Sequence, residues 1–457
     1  MVFSGLPFLF IFLPLTLAAY FLVPLKFKKV VLIIASIIFY AWGEPVYVLL
    51  MLLSIAVNFG MALFAYQKKL PLVIAIVYDL AMLVVFKYAG LFISTISGLT
   101  GMYIPELQLS LPIGISFYTF QAMSYVIDVY RGDVKAAKNP IDFGAYLAMF
   151  PQLIAGPIVR YKTIEEELKN PAISFENFST GISRFVVGLG KKVLIANSIG
   201  RVWTQISQVG RDDLSMATAW IGIAAFTLQI YFDFSGYSDM AIGMGRMLGF
   251  SFLENFDHPY ESKSITEFWR RWHMSLGTWF REYVYYPLGG SKRGRGRQLF
   301  NIFIVWMLTG FWHGASWNFL LWGIYYAVLL FLEKLWLLDK LKKAPKPVSA
   351  LYTLFFVALG WAIFSWQDIR DVSGFFASMA GFGGRGVVDS SAFYFIRSYV
   401  ILLVTAAVGA TTVPRRIWER ITQNAALPTV VFEAAVCVLS AAYLVSDTYN
   451  PFLYFRF

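Results

Sequence analysis

Residues Leu299–Leu332 read LFNIFIVWMLTGFWHGASWNFLLWGIYYAVLLFL. These 34 residues hold no Asp, Glu, Lys or Arg. As one helix rising about 1.5 Å per residue they would extend about 50 Å. A hydrocarbon core is only about 30 Å thick. Both flanks are basic: Arg293, Arg295 and Arg297 precede the run, and Lys334, Lys340, Lys342 and Lys343 follow it. Basic residues collect on the cytoplasmic side of a membrane. Two spans joined by a tight bend place both flanks there, whereas one long tilted helix would strand one of them outside. Gly310 and Gly314 supply the bend, which sets His313 at its tip among Phe311, Trp312 and Trp317.

The rest of the chain agrees with a membrane protein. Of its 457 residues 58% are hydrophobic and 14% charged, too few charges for a soluble chain of this length. Further apolar runs fall at 6–24, 30–42, 46–66, 71–95, 111–130, 143–158, 182–205, 215–232, 238–250, 349–366, 395–413 and 428–446. The fold class is therefore all-α and polytopic, in one membrane domain over 1–457. Met1–Pro24 lacks a basic leader and a small-residue cleavage site, so it reads as a retained first helix. The run 143–158 is broken by Pro151, Gly156 and Pro157 and reads as re-entrant. The net charge of +11 belongs to cytoplasmic loops and calls for no nucleic acid. Cys437, the single cysteine, excludes an internal disulfide and a cysteine zinc site. Lying in an apolar run, it is expected to pack as a small hydrophobe.

Between two of these runs lies SITEFWRRWHMSLGTWFREYVYYPLGGSKRGRGR, Ser264–Arg297. Ser264 and Glu267 form a capping box, which predicts a helix over about 264–284. At about 100° per residue, Ile265, Trp269, Trp272, Leu276, Phe280 and Tyr283 share one face. Glu267, Arg270, Arg271, Thr278, Arg281 and Glu282 share the other. Such a helix is too charged to span and should lie at the cytoplasmic interface. His273 falls within the apolar arc and so turns inward. The loop GGSKRGRGR that follows, with Lys292 and Arg293, reads either as a lipid-contacting topogenic loop or as a docking surface for an anionic donor.

An ionisable ring inside a membrane marks a functional site by default. Desolvation keeps histidine neutral and able to accept a proton, which suits a general base for an alcohol attacking an acyl donor. His258, in NFDHPYESKS, reads as an exposed loop residue. No two of the three histidines have metal-ligand spacing, and the chain has neither a GxSxG elbow nor a cysteine nucleophile near a histidine.

These motifs carry a resemblance over nearly the whole chain. It runs through MVFSGLPFLFIFLPL at Met1, LPIGISFYTFQAMSYVIDVYRG (Leu111–Gly132), MFPQLIAGPIVRY (Met149–Tyr161) and GLGKKVLIAN (Gly188–Asn197). It continues through QIYFDFSGYSDMAIGMGRMLGF (Gln229–Phe250), the two histidine segments and the closing PFLYFRF. The sequence resembles the membrane-bound O-acyltransferase superfamily, and within it the membrane subunit of bacterial alginate O-acetyltransferase. The resemblance implies about eleven transmembrane helices, with re-entrant and interfacial helices around a central tunnel, in the bacterial cytoplasmic membrane. It implies acyl transfer from a cytoplasmic thioester, acetyl-CoA as donor substrate with no bound cofactor and no metal, towards an exported polysaccharide such as alginate. His313 in WHG maps onto the expected catalytic residue, and His273 in RRWH onto the second polar residue. Donor phosphates would meet Arg270, Arg271, Arg281, Lys292 and Arg293. Trp269 and Trp312 are tunnel-lining candidates. Asp233, Tyr237 and Asp239, in FDFSGYSD, and Gln152, in PQLIAGP, read either as tunnel lining or as polar groups holding helix ends together. Relatives work with extracytoplasmic partners of a Ser-based acyltransferase fold, which implies such a partner here. Two other readings remain open: D-alanyl or other acyl transfer from a carrier-protein thioester to a cell-envelope polymer, and a glycan transporter without enzymatic activity.

Overall fold

The computed structural model describes the chain except residues 106, 108, 155, 211, 212, 423–426, 447–449, 451 and 454–457. Most of the closing PFLYFRF motif therefore lies outside the described residues. No strand occurs among the described residues. The helices run α1 Leu13–Leu22, α2 Leu25–Gly43, α3 Val48–Ala65, α4 Lys69–Leu83, α5 Ala89–Thr100, α6 Ile115–Arg131, α7 Pro140–Ala148, α8 Phe150–Leu153, α9 Tyr161–Lys169, α10 Phe175–Gly190 and α11 Asn197–Ser207. They continue as α12 Met216–Met247, α13 Ile265–Arg271, α14 Met274–Phe280, α15 Arg295–His313, α16 Trp317–Leu332, α17 Leu338–Lys343, α18 Lys346–Phe364, α19 Ile369–Met379, α20 Ser390–Gly409, α21 Val413–Thr422 and α22 Leu427–Ser446.

Seven helical stretches among the described residues are long and apolar enough to cross a membrane. The expectation of about eleven exceeds this because several helices start on charge or run short. The first turn of α2 carries Lys26, Lys28 and Lys29, α15 opens on Arg295 and Arg297, and α6 has only 17 residues. Cys437 departs from expectation too. It is exposed on α22, one of the seven, and so belongs to a lipid-facing surface.

The chain forms two compact units, Met1–Gly188 with Tyr237–Glu254 and Leu189–Gly236 with Asn255–Phe457. In the first, Phe3, Phe8, Phe12, Phe39 and Phe150 build an aromatic core with ring centroids 5.0–6.3 Å apart. Lys29 pairs with Asp142 at 2.7 Å, tying α2 to α7. Arg184 clamps Asp239 and Glu254, each at 2.6 Å. The broken segment around Pro151 is α7 followed, after Met149, by the single-turn α8. Phe150, Pro151, Gln152 and Leu153 are all buried, so this irregular backbone is enclosed by protein.

The second unit is organised by the hairpin of α15 and α16. The two helices approach closely because Gly310 faces Phe319 and Gly323 faces Trp306. A Cβ on Gly323 would sit 2.5 Å from the Trp306 carbonyl oxygen. Behind them Trp269, Trp306, Trp322, Tyr326 and Trp361 interlock, mostly edge to face. Such ring pairs add about 0.5–1.5 kcal/mol each beyond their buried area.

The helix expected over 264–284 is not continuous. It is α13, then a break at Trp272 and His273, then α14, then a π-helical turn at Arg281–Tyr285. His273 has φ +45°, in the left-handed region. A helical wheel assumes unbroken rotation, so burial is wider than the predicted face. Phe268, Ser275 and Trp279 are also buried.

Candidate active site

His313 closes the last turn of α15. The next residue, Gly314, is extended. The turn into α16 is tied to the end of α18: Ser316 Oγ donates to the Gln367 carbonyl at 2.8 Å, and Asn318 Nδ2 donates to the carbonyls of Ile363 and Trp366. The His313 ring sits edge-on to Trp312, Trp322 and Phe364 at 5.0, 5.1 and 5.3 Å and is 6% exposed.

His273 N-caps α14. The loop residue Asn255 holds it there. The Asn255 carbonyl accepts from Met274 N–H at 3.0 Å. Its side-chain Oδ1 accepts from Ser275 N–H at 3.2 Å and Ser275 Oγ–H at 2.9 Å. His273 Nδ1 lies 3.2 Å from the same Oδ1. Phe234 packs edge-on to the ring at 4.7 Å. Burial pushes the His273 imidazole down to about 3, so the ring is neutral at physiological pH.

The start of α13 is anchored as firmly. Ser264 Oγ accepts from Glu267 N–H at 3.0 Å, which is half of the predicted capping box. The reciprocal half shifts by one residue: the Glu267 carboxylate accepts from Lys263 N–H at 3.0 Å. The orphan N–H groups of Ile265 and Thr266 go to the buried carboxylate of Glu333, at 2.7 and 2.8 Å, and Thr266 Oγ1 joins at 2.6 Å. A carboxylate is well placed at a helix N-terminus.

Both histidines line one cavity of about 390 Å³, wholly within the second unit. Arg270, Arg281 and Lys334 line it together with Thr278, Tyr285 and Gln298. Trp269, Trp272, Leu276, Phe280, Val305 and Trp306 give its apolar wall. A second, tight cavity of about 10 Å³ has room for no more than about one water. It is lined by Ile230, Asp233, Phe234, Trp361, Phe364, Phe452 and Leu453. His313 and Trp272 belong to the walls of both.

The other sequence candidates divide. Trp312 lies between the histidines, 5.8 Å from the His273 ring and 5.0 Å from that of His313. Asp233 pairs with buried Lys192 at 2.6 Å and accepts from Leu453 N–H at 2.9 Å. Arg271 does not line the cavity; it pairs with Glu267 at 2.8 Å. Lys292 and Arg293 are exposed and line neither cavity. Gln152, Tyr237 and Asp239 belong to the first unit. There Gln152 donates to the Tyr146 carbonyl, Tyr237 stacks on Phe3 at 4.3 Å, and Asp239 holds Arg184. Lys334, Asn255 and Glu333 were not singled out from sequence. Lys334 carried a signal, since it flanks the apolar run, but the other two act over distances that no local pattern encodes.

The profile of the membrane-bound O-acyltransferase family matches residues 82–339, more than half of the chain. The chain belongs to the membrane-bound O-acyltransferase family. It is 37% identical to the probable alginate O-acetylase AlgI of Pseudomonas putida and 36% identical to that of Azotobacter vinelandii, over the whole of each chain. It is 32% identical to a peptidoglycan O-acetyltransferase of Helicobacter pylori, covering 82% of this chain and 79% of that one. The protein is thus a multi-pass membrane O-acyltransferase, and the two-histidine cavity is its candidate active site.

Proposed function

We propose that this acyltransferase takes an acetyl group from cytoplasmic acetyl-CoA and passes it across the membrane for O-acetylation of an exported polysaccharide such as alginate. The observation that carries the reading is His313, placed in the shared wall of a wide cavity with cationic lining and a tight second cavity. The names of the relatives support an O-acetyl product, and alginate is the polymer named for the two full-length ones.

In this reading Arg270, Arg281 and Lys334 meet the donor phosphates, and the acyl-pantetheine arm lies along the aromatic wall. The acceptor hydroxyl gives its proton to His313 as its oxygen attacks the thioester carbonyl. The tetrahedral intermediate collapses, the C–S bond breaks, and the leaving thiolate takes the proton back from His313. The products are the O-acetyl ester and free coenzyme A thiol. His273 is the second polar group of the site. An extracytoplasmic partner of a Ser-based acyltransferase fold, as the family resemblance implies, receives the acetyl group and delivers it to the glycan.

The test is transfer from radiolabelled acetyl-CoA by the purified protein, with and without candidate partners. His313→Ala should lower turnover about 10²–10⁴-fold, the usual cost of losing general acid–base catalysis, while the variant still inserts and folds. Near-normal turnover by a folded His313→Ala protein removes His313 from the reaction. Turnover only with a carrier-protein thioester transfers the site to a different donor.

A further inference from the structure

Asn255 makes more contacts at His273 than a loop residue needs. Its Oδ1 faces Ser275 N–H, and a backbone N–H can only donate. The atom there must therefore be oxygen, which fixes the orientation of the amide. Ser275 Oγ–H lies 2.9 Å from that oxygen and 3.5 Å from His273 Nδ1, so the hydroxyl hydrogen goes to the oxygen; an amide oxygen offers only lone pairs, and a hydrogen bond to it from His273 Nδ1, 3.2 Å away, puts the ring hydrogen on Nδ1. In a neutral imidazole the other nitrogen, Nε2, then carries a lone pair. The backbone locks the arrangement: His273 is held at φ +45°, and Met274 N–H bonds the Asn255 carbonyl.

We propose that Asn255 is a positioning residue that fixes His273, in the wall of the wide cavity, as its Nδ1–H tautomer with the lone pair on Nε2. This rests on the reading of that cavity as the active site. It also narrows what His273 does. A neutral ring with its only N–H engaged by Asn255 cannot donate to an oxyanion or a thiolate. His273 lines only the wide cavity, whereas His313 lines both. The two rings therefore have different tasks: His273 is held in one tautomer by Asn255, and His313 moves the proton.

The direct measurement is the 15N spectrum of full-length protein labelled at histidine, in lipid. With three histidines in the chain the ring signals are few enough to assign by His258→Asn and His313→Gln. His273 should show a protonated Nδ1 and a lone-pair Nε2. A protonated Nε2 in the wild-type protein overturns the proposal.

Two variants provide the functional arm. Asn255→Leu should lower kcat roughly 10²-fold, as a misplaced group does, with KM for acetyl-CoA little changed. Asn255→Asp keeps an acceptor oxygen for both N–H groups and should restore most of the activity at pH 8. Its carboxylate stabilises the imidazolium and raises the His273 pKa. The ring then loses its lone pair at a higher pH, so the acid limb of the rate profile moves up. The charged and titratable groups that share the cavity are Arg270, Arg281, Lys334, Tyr285 and His313. Burial holds the His273 pKa down, so an upward shift in this variant comes from the new carboxylate. Wild-type kcat in Asn255→Leu, or an unmoved acid limb in Asn255→Asp, also overturns it. If His313→Ala remains active, the reading of the site fails while the tautomer measurement stands. If His313→Ala is dead and His273 carries its hydrogen on Nε2, only this inference fails.

Discussion

At the scale of single residues, adjacent arginines do different things. Arg270 lines the wide cavity, while Arg271 is tied to Glu267. Hydrogen bonds to charged groups contribute about 1.5–3 kcal/mol, and each 1.4 kcal/mol is about tenfold in affinity. Arg270→Ala, Arg281→Ala and Lys334→Ala should each raise KM for acetyl-CoA about tenfold or more. Arg271→Ala, Lys292→Ala and Arg293→Ala should change it less than about threefold on the same scale. Steady-state kinetics at low and high salt check this, since salt screens exposed charge and should raise the wild-type KM as well. Sequence periodicity put both arginines on one polar face, because a wheel resolves direction only to a broad arc. His313 was legible because two basic flanks around an uncharged run leave few topologies. Asn255 was not, because its partner lies 18 residues away across a turn.

At the scale of elements, the decisive departure from expectation is the break between α13 and α14. A strong capping signal and a clean apolar face both argued for one helix. Neither encodes a residue held in the left-handed region by a distant side chain. What keeps the short α13 in place is Glu333, from the far end of the hairpin. Glu333→Ala leaves the Ile265 and Thr266 N–H groups without their acceptor, at a cost of about 1–3 kcal/mol for each buried one. Thermal unfolding in detergent should show that loss, and Glu333→Gln should recover part of it. The turn of the hairpin was readable from Gly314, which ends α15, whereas Gly310, expected at the bend, lies inside α15 and admits Phe319. The packing role of Gly323 was not, because a glycine within an apolar run gives no sign of which neighbour it admits. Gly323→Leu should prevent accumulation of folded protein, since its side chain would enter the backbone of Trp306.

At the scale of the whole molecule, the described residues near the C-terminus are tied to the middle of the sequence. Lys192 pairs with Asp233 at 2.6 Å and donates to Asn197 Oδ1 at 3.0 Å, Asn197 donates to Asn450 at 3.1 Å, and Leu453 N–H donates to Asp233. Both ions are buried, so removing one strands the other. Lys192→Met or Asp233→Asn alone should cost roughly 3–5 kcal/mol, and Lys192→Met with Asp233→Leu should cost less than either single change. Unfolding by chemical denaturant measures all three.

The narrow chamber beside His313 bears on the cell rather than on the reaction. Proton leakage through a protein needs an unbroken file of waters, and a space of about 10 Å³ shelters one molecule at most. If the acyl group passes beside this chamber as proposed, bond exchange carries it from one atom to the next without such a file. Acyl transfer of the kind proposed would then leave the membrane potential undischarged.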